Sequence, residues 1–270
     1  MIKNKKIFII LAIILLLLIT VYLYKTKREN MDNKHYRAVI LLIASNNNTI
    51  YKNCRKIWKQ YMNTDPTIKV FFVYGKLSDK LTDYDPKCDL IYNDIMDEPQ
   101  LINIEKSIKA MDSIDSLYTY DFFIRTNLST FWDFDKLQLH LNELPTSNCY
   151  SGYSHTTFVS GTDIIVTPDI IKIIVKNEKK IKNDIVDDVA LGLYLNVKLK
   201  IPIIEKNEKM CWIEDIKDVK NQDKELTKRI SDAKRDNMSH YRVKNKEDVR
   251  ESVDLYVYTK LLKMIYDIDL

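Results

Sequence analysis

The sequence predicts an α/β fold, with a mostly parallel central sheet flanked by helices and one transmembrane helix ahead of it. The first observation is that apolar strand-type runs alternate repeatedly with helical patterns, an order typical of a parallel sheet with right-handed crossovers. The second is that residues 7–24 are apolar apart from Thr20. At about 1.5 Å per residue such a helix reaches roughly 27 Å, close to the roughly 30 Å of a hydrocarbon core.

The N-terminal apolar run is predicted to be an uncleaved signal anchor. Basic side chains flank it, at Lys3, Lys5 and Lys6 before it and at Lys25, Lys27 and Arg28 after it. A cleaved signal peptide is the alternative, but no small-x-small cleavage site follows the run. We therefore expect a single-pass type II membrane protein whose domain faces the lumen of the Golgi or ER, or its equivalent on a host or viral membrane. Its predicted parts are a cytosolic tail with anchor over 1–28, a short stem over 29–36 and one domain over 37–270.

The charge of the chain argues against nucleic acid as a partner. The sequence has 42 Lys and Arg against 38 Asp and Glu, a net charge of +4. Six of the basic residues and none of the acids lie in residues 1–28, which leaves 36 basic against 38 acidic residues. No basic arm or stripe remains for a phosphate backbone. The four cysteines have no CxxC spacing, which argues against zinc; disulfides in a lumen and buried thiols both stay open.

The first half of the domain predicts four strands with helices between them. RAVILLIAS, from Arg37, is a continuous apolar run, as in a central strand covered on both faces. Polar residues Asn46 to Asn48 follow at its carboxyl end, where the ligand loops of open α/β sheets lie. Helices are expected over 51–62 and 99–117, and further strands over 70–75, 90–95 and 120–126.

The middle of the chain carries signals for a strand and two helices in succession. Residues 164–166 are expected to form a strand, after which Thr167 caps a helix that Pro168 begins. Asp187 and Asp188 then begin a second apolar helix, near the positive end of its dipole. Plain capping by these two acids is the alternative to a functional role.

The C-terminal third is less regular. Residues 198–205 are strand-like, residues 217–236 are so charged that a solvated loop or an exposed helix is expected, and residues 247–268 carry apolar side chains at helical spacing. His240 and Arg242 lie between the last two segments, in a stretch whose neighbouring lysines would suit a loop that faces phosphate.

Two sets of ordered motifs carry a resemblance to a known family. One is SGTDIIVTPDII, followed after a short gap by DDVALGLYL; the other is a helix with R-x-x-W followed by an F-x-x-G strand. The matching residues are, in chain order, Arg55, Trp58, Phe72, Gly75, Gly161, Thr167, Asp169, Asp187, Asp188, Val189 and Gly192. Over roughly residues 37–200 the chain resembles the β-1,3-galactosyltransferase-like glycosyltransferases (glycosyltransferase family 31).

The resemblance implies a fold, a reaction and its partners. It implies a GT-A-like domain that transfers a hexose, of the galactose or N-acetylglucosamine type, from a UDP-sugar to a glycan or protein hydroxyl, with inversion. Such a displacement needs a base for the acceptor proton and positive charge for the leaving diphosphate. Asp188 matches the acid of the family's E-D-V motif and is the expected base. Asp187 is its orienting neighbour or the second candidate.

The chain departs from the family after the fourth strand. The family reads K-T-D-D-D-V-F-V-N there, and its acids hold a divalent metal against the diphosphate; this chain reads RTNLSTFWD. Asn127, Leu128 and Ser129 replace the acids, and neutral oxygens bind a hard cation more weakly than carboxylates do. The residues expected on the donor side are Arg125, Thr126, Asn127, Ser129, Gly161 and Arg242.

Three alternatives follow for the metal, which would be Mn²⁺. In the first, the enzyme does without it and neutralises the diphosphate with Arg125 or lysines. In the second, Asp133 and Asp135, a D-x-D six residues further on, bind the metal together with His240. In the third, the donor site is lost and the protein is a non-catalytic, membrane-anchored carbohydrate-binding or interaction protein. For Asp133 and Asp135, capping of the following helix is the competing interpretation.

Overall fold

The structure, a computed structural model, describes residues 13–16, 19, 34–77, 81–96, 103–246 and 248–270. Most of the predicted signal anchor and most of the predicted stem lie outside these residues. Within the described part of the chain, no helix combines the length and the apolar character needed to cross a membrane.

Strands alternate with helices along the domain. The strands are β1 His35–Ile43, β2 Ile68–Lys76, β3 Asp89–Met96, β4 Thr119–Asn127, β5 Thr130–Trp132, β6 Tyr150–Gly152, β7 Ser154–His155, β8 Phe158–Val159, β9 Ile164–Val166, β10 Ile204–Glu205, β11 Met210–Ile213 and β12 His240–Val243. The α-helices are α1 Thr49–Tyr61, α2 Asn103–Asp115, α3 Phe134–Asn142, α4 Pro168–Lys176, α5 Asp187–Gly192, α6 Val219–Arg235 and α7 Arg250–Leu261. Wider helical turns continue α5 over Leu193–Lys198 and α7 over Leu262–Tyr266.

Seven strands form the central sheet, in the order β10-β6-β9-β4-β1-β2-β3. β1 pairs in parallel with β2 and with β4, and β2 pairs in parallel with β3. β9 runs antiparallel to both of its neighbours, β4 and β6. The chain passes from β1 to β2 on one side and later enters β4 on the other, so a topological switch point lies between β1 and β4. In open α/β sheets, ligands bind outside the carboxyl ends of the strands at such a point.

Helices cover both faces of this sheet. The apolar run predicted for β1 is buried at its centre, where residues 38–42 have no exposed surface. Its even-numbered residues pack in a cluster that contains Trp58 of α1 and Val257 of α7. Its odd-numbered residues pack with Ile108 of α2 and Ile170 of α4. The mixed α/β class with a mostly parallel, helix-flanked sheet is therefore confirmed.

A second sheet brings a late part of the chain to the end of β4. β5 follows β4 closely and pairs antiparallel with β12, which in turn pairs in parallel with β11. In this register Arg242 stands opposite Thr130. The stretch around His240 and Arg242 is therefore a strand fixed beside the residues that follow β4. Lys244 and Lys246, expected in a loop, lie just after this strand.

Residues 217–236, expected as a solvated loop or an exposed helix, contain the helix α6, whose buried Leu226 packs on the domain. Two other local predictions need correction. The strand expected over 198–205 is limited to β10, because the helical turns after α5 run into its first residue. Thr167 does occupy the cap position of α4, but its hydroxyl accepts from the Cys149 N–H at 3.0 Å and makes no bond to the helix. All four cysteines are free thiols.

Candidate functional site

Arg125 lies near the carboxyl end of β4 and joins three parts of the chain. It is 2% exposed. Its Nη2 donates to Oδ2 of Asp187 at 2.5 Å, and its Nη1 donates to the carbonyl of Gly161 and, at 3.0 Å, to Oδ1 of Asn127. The guanidinium therefore links β4, the turn before β9 and the start of α5.

These contacts favour a positioning role for Arg125, where the sequence suggests a direct donor contact. Both terminal nitrogens donate to protein groups, and Nε is buried without a hydrogen-bond partner among the described residues. A guanidinium binds phosphate through nitrogens that point outward as a fork. Arg125 instead directs its nitrogens into the domain.

The adjacent acids Asp187 and Asp188 have different surroundings. Asp187 is 2% exposed and its charge is matched by Arg125. Asp188 is half-buried; its Oδ2 accepts from the Gly161 N–H at 2.9 Å, and its Oδ1 accepts from the next backbone N–H at 2.8 Å. Val186, not either acid, occupies the cap position of α5. Helix capping therefore does not explain the pair, and Asp188 is the acid that a substrate can reach.

Gly161 lies between Arg125 and Asp188. Its carbonyl accepts from the first and its N–H donates to the second. A Cβ atom at this position would overlap the Arg125 guanidinium and lie 3.2 Å from Oδ2 of Asp188. A larger residue at this position would have to displace the Arg125 guanidinium, so the absence of a side chain leaves room for this arrangement.

Thr126, a predicted donor-side residue, lies inside the domain, behind the group formed by Arg125, Gly161 and Asp188. It has no exposed surface. Its hydroxyl donates to the carbonyl of Thr162 and accepts from Nε1 of Trp132 at 3.3 Å. These bonds tie the end of β4 to the segment that carries Gly161, so Thr126 contributes to the position of the site and does not reach its surface.

Ser129 and Arg242 form a second polar contact at the same edge of the sheet. Ser129 is 4% exposed, and its hydroxyl accepts from Nη1 of Arg242. Arg242 is half-buried, and burial, together with the nearby charge of Arg250, lowers its pKa below the usual range. Arg250 has a partner in Asp254 at 2.9 Å. Among the residues that the structure describes, no acid lies within ion-pair distance of Arg242.

The three predicted metal ligands have other surroundings. Asp133 caps α3: it is 3% exposed, its Oδ1 accepts from the Lys136 N–H at 3.1 Å, and burial raises its pKa. Asp135 lies in the first turn of the same helix. His240 has no exposed surface and stacks on Trp132, with ring centroids 4.4 Å apart. Within the described ranges, no group of three His, Cys, Asp or Glu side chains is placed to hold a metal ion.

The residues that replace the family's acids do not fit a divalent cation. Oδ1 of Asn127 accepts from Arg125, and Oγ of Ser129 accepts from Arg242. A hard cation on these two oxygens would lie against two guanidinium groups without a carboxylate of its own, whereas such cations prefer charged oxygen ligands. The positive charge at this edge of the sheet is carried by the side chains of Arg125 and Arg242.

A buried acid without a motif of its own lies beside His240. Asp163 has no exposed surface, and its Oδ2 is 3.5 Å from Nε2 of His240. The same oxygen accepts from the Tyr153 N–H at 2.8 Å, and Oδ1 accepts from the Thr162 hydroxyl at 2.9 Å. Burial raises the pKa of Asp163 to about 7 and lowers the pKa of His240 well below its ordinary value. The only sequence signal for Asp163 is an acid directly before an apolar strand.

Ser239 connects this pair to a second buried histidine. Its Oγ lies 3.1 Å from Nδ1 of His240 and 3.2 Å from Nδ1 of His140. Burial lowers the pKa of His140 to about 4. Both histidines are thus held in the neutral form inside the domain, which suits a structural role better than that of a charged ligand to phosphate.

A cavity of about 340 Å³ lies in another place, between α2 and the segment after α4. Ile104, Ile108 and Ile181 line it together with Glu105 and Glu178. None of the predicted site residues lines this cavity.

No protein-family model and no curated protein matches the chain. Among solved structures, the chain is similar to a glycosyltransferase involved in the glycosylation of the major capsid of PBCV-1, with 12% sequence identity and a TM-score of 0.43. The match covers 82% of this chain and 98% of that one.

Proposed function

We propose that the chain is a glycosyltransferase that moves a hexose from a UDP-sugar to a hydroxyl group of a glycan or protein acceptor, with inversion at the anomeric carbon. The observation that carries the proposal is the position of Asp188. This half-buried carboxylate is held by the Gly161 N–H, on a frame fixed by the buried Arg125–Asp187 pair, at the carboxyl end of β4. A carboxylate that is both fixed and accessible can serve as a general base.

The donor is proposed to bind at the switch point between β1 and β4. The loop after β1 leads there into α1, whose cap residue Asn48 accepts from the Tyr51 N–H at 2.9 Å. The positive end of a helix dipole and the guanidinium of Arg242 both favour an anion. The diphosphate of a nucleotide sugar is such an anion, and half-buried Asn127 lies on the same edge.

Each residue has a separate task in a single displacement. The acceptor hydroxyl gives its proton to a carboxylate oxygen of Asp188 while its oxygen bonds to the anomeric carbon. The bond from that carbon to the diphosphate oxygen breaks, and its electron pair leaves with UDP. Asp187 is bound to Arg125 inside the domain and does not take the proton. It keeps Arg125 in place and, through Gly161, also Asp188.

The proposed setting is a membrane, with residues 7–24 as a type II anchor and the domain in the lumen of the Golgi or ER. The support is the apolar run and its basic flanks. Protease treatment of the full chain made with microsomal membranes tests this setting. The domain is expected to resist digestion until detergent opens the membrane. Digestion without detergent would contradict it.

A carbohydrate-binding module without catalysis is the competing function. It is favoured by one observation, that Asn127 and Ser129 stand where the family that the chain resembles has metal-binding acids. The two functions differ in nucleotide affinity, since an enzyme of the proposed kind binds UDP and a pure saccharide-binding module does not.

The test measures UDP release by the purified full chain in detergent, with UDP-galactose or UDP-N-acetylglucosamine as donor and simple glycosides as acceptors. Thermal unfolding with UDP accompanies it, because a ligand that binds only the native state raises stability by RT ln(1 + [L]/Kd). Acceptor-dependent UDP release supports glycosyl transfer. Stabilisation by saccharides without any response to UDP or UDP-sugars would establish the binding module instead.

A further inference from the structure

Ser129 and Arg242 are 113 positions apart in the sequence and meet beside the end of β4. The antiparallel pairing of β12 with β5 places Arg242 opposite Thr130, directly after Ser129. Strand register thus fixes the backbone of Arg242, and the hydrogen bond to Ser129 holds its guanidinium.

Within the described part of the chain, no acid forms an ion pair with Arg242, although Glu214 lies near enough to favour its charged form. Arg125 has Asp187 as its acid, and Arg250 has Asp254. Arg242 has no comparable acid among the described residues, although it is half-buried and in the neighbourhood of Arg250. Placing a cation away from water without a counter-ion is unfavourable. An anionic ligand at this edge would supply the missing counter-charge.

A divalent cation does not fit the same place. The oxygens of Asn127 and Ser129 already accept from Arg125 and Arg242, and Asp133 is used as a helix cap. Two guanidinium groups therefore occupy the surroundings in which the family that the chain resembles has metal-binding acids.

We propose that the donor site binds the diphosphate of the nucleotide sugar without a divalent cation, and that the Arg242 guanidinium, held by Ser129, supplies the positive charge. The inference rests on the proposed function and specifies how the leaving group is stabilised. As the bond to the anomeric carbon breaks, its electron pair passes to the diphosphate oxygen of UDP beside Arg242. Arg242 keeps its protons, and the acceptor proton goes to Asp188.

The experiment measures binding of UDP and of inorganic pyrophosphate to the full chain in detergent by titration calorimetry, with excess EDTA and with Mn²⁺. The wild-type chain is expected to bind UDP with the same affinity in both. R242Q is expected to bind UDP about 10- to 100-fold more weakly in EDTA. R242K keeps the positive charge but loses the planar guanidinium, which can donate to two phosphate oxygens at once. Its affinity for UDP is expected to lie between those of the wild type and R242Q.

Two further variants control the interpretation. R235Q changes an exposed arginine at the end of α6 and is expected to bind UDP like the wild type. S129A removes the hydroxyl that holds Arg242 and is expected to weaken UDP binding less than R242Q does. Thermal unfolding without ligand reports whether each variant is folded, and R242K and S129A carry the test if R242Q is not.

The outcomes separate this inference from the proposed function. Binding of UDP that requires Mn²⁺ overturns the inference and leaves the proposed function standing. Binding in EDTA that none of the folded variants at Arg242 and Ser129 weakens also overturns it. Failure to bind UDP with or without Mn²⁺ overturns the inference and the proposed function together.

Discussion

Arg125 and Asp187, 62 positions apart in the sequence, form a buried ion pair in which Nη2 and Oδ2 are 2.5 Å apart. Both residues are 2% exposed. Because each charge is costly to remove from water, the two stabilise each other only while both are present. The pair fixes α5 against β4, and the position of Asp188 follows from it.

Asp187→Asn is expected to lower the free energy of unfolding by about 3–5 kcal/mol, because it leaves the Arg125 charge buried without a counter-ion. Urea denaturation of the variant and the wild type measures the difference. Asp232→Asn is the matched control, since Asp232 pairs with Arg235 at an exposed position, and no measurable loss is expected there. Equal stability of Asp187→Asn and the wild type would mean that the buried pair does not hold the site.

Asp188→Asn is expected to lower kcat for glycosyl transfer by about 10²- to 10⁴-fold, the contribution of a positioned general base. UDP affinity and stability are expected to stay close to wild type, because Asp188 is half-buried and its hydrogen bonds go to the backbone N–H groups of Gly161 and Val189, not to Arg242. Asp112→Asn, at an exposed position on α2, is the control and should transfer normally. Full transfer activity in folded Asp188→Asn would remove this residue from the role of base.

Gly161→Ala is expected to lower the free energy of unfolding by about 1–3 kcal/mol, since the added methyl group must displace the Arg125 guanidinium. Transfer should fall further than the folded fraction does, because Asp188 accepts from the same residue. Gly161→Val should have the larger effect on both measurements. An alanine variant with wild-type stability and activity would show that the turn can move without cost.

The buried acid Asp163 gives the domain a pH dependence of defined sign. Its pKa is about 7 when buried, against an ordinary value of 3.8. Between these values the folded protein holds a proton that the unfolded chain has lost, so the contribution of Asp163 to stability falls as the pH rises through this window. His140 and His240 have the opposite effect on stability. Burial lowers the pKa of both histidines, so their contribution to stability is lost as the pH falls below 6.5.

Comparison with Asp163→Asn isolates the acid from the histidines. The quantity to compare is the difference in the free energy of unfolding between the wild type and Asp163→Asn. This difference, wild type minus variant, is expected to decrease by up to about 1.4 kcal/mol per pH unit as the pH rises from 3.8 to about 7. Urea denaturation across this range measures it, with Asp112→Asn as a variant that should show no such trend. A constant difference would mean that Asp163 is ionised throughout in the folded protein.

Local patterns in the sequence were sufficient to predict the framework of the domain. The apolar run from Arg37 predicts a strand covered on both faces, and β1 has helices on each side. The strand predicted over 164–166 is β9 with the same bounds. Such elements can be predicted because residue spacing reports which side of a strand or helix is buried.

The roles of the site residues depend on contacts between distant segments, which local patterns do not report. The sequence predicts that Arg125 faces the donor, whereas Gly161 and Asp187 bind it from 36 and 62 positions away. Arg242 lies in a strand because β5 pairs with its segment, and no local pattern predicted that pairing. Asp163 is buried beside His240, which lies far along the chain.

The pairing of β5 with β12 also sets an order for biosynthesis. At about 5–20 residues per second, a ribosome needs roughly 6 to 23 seconds to add the 113 positions that separate Ser129 from Arg242. During that interval the central strands can collapse while β5 has an open edge, which a chaperone or another nascent chain can occupy. A chain that ends before β12 would therefore yield a partly folded domain that lacks Arg242.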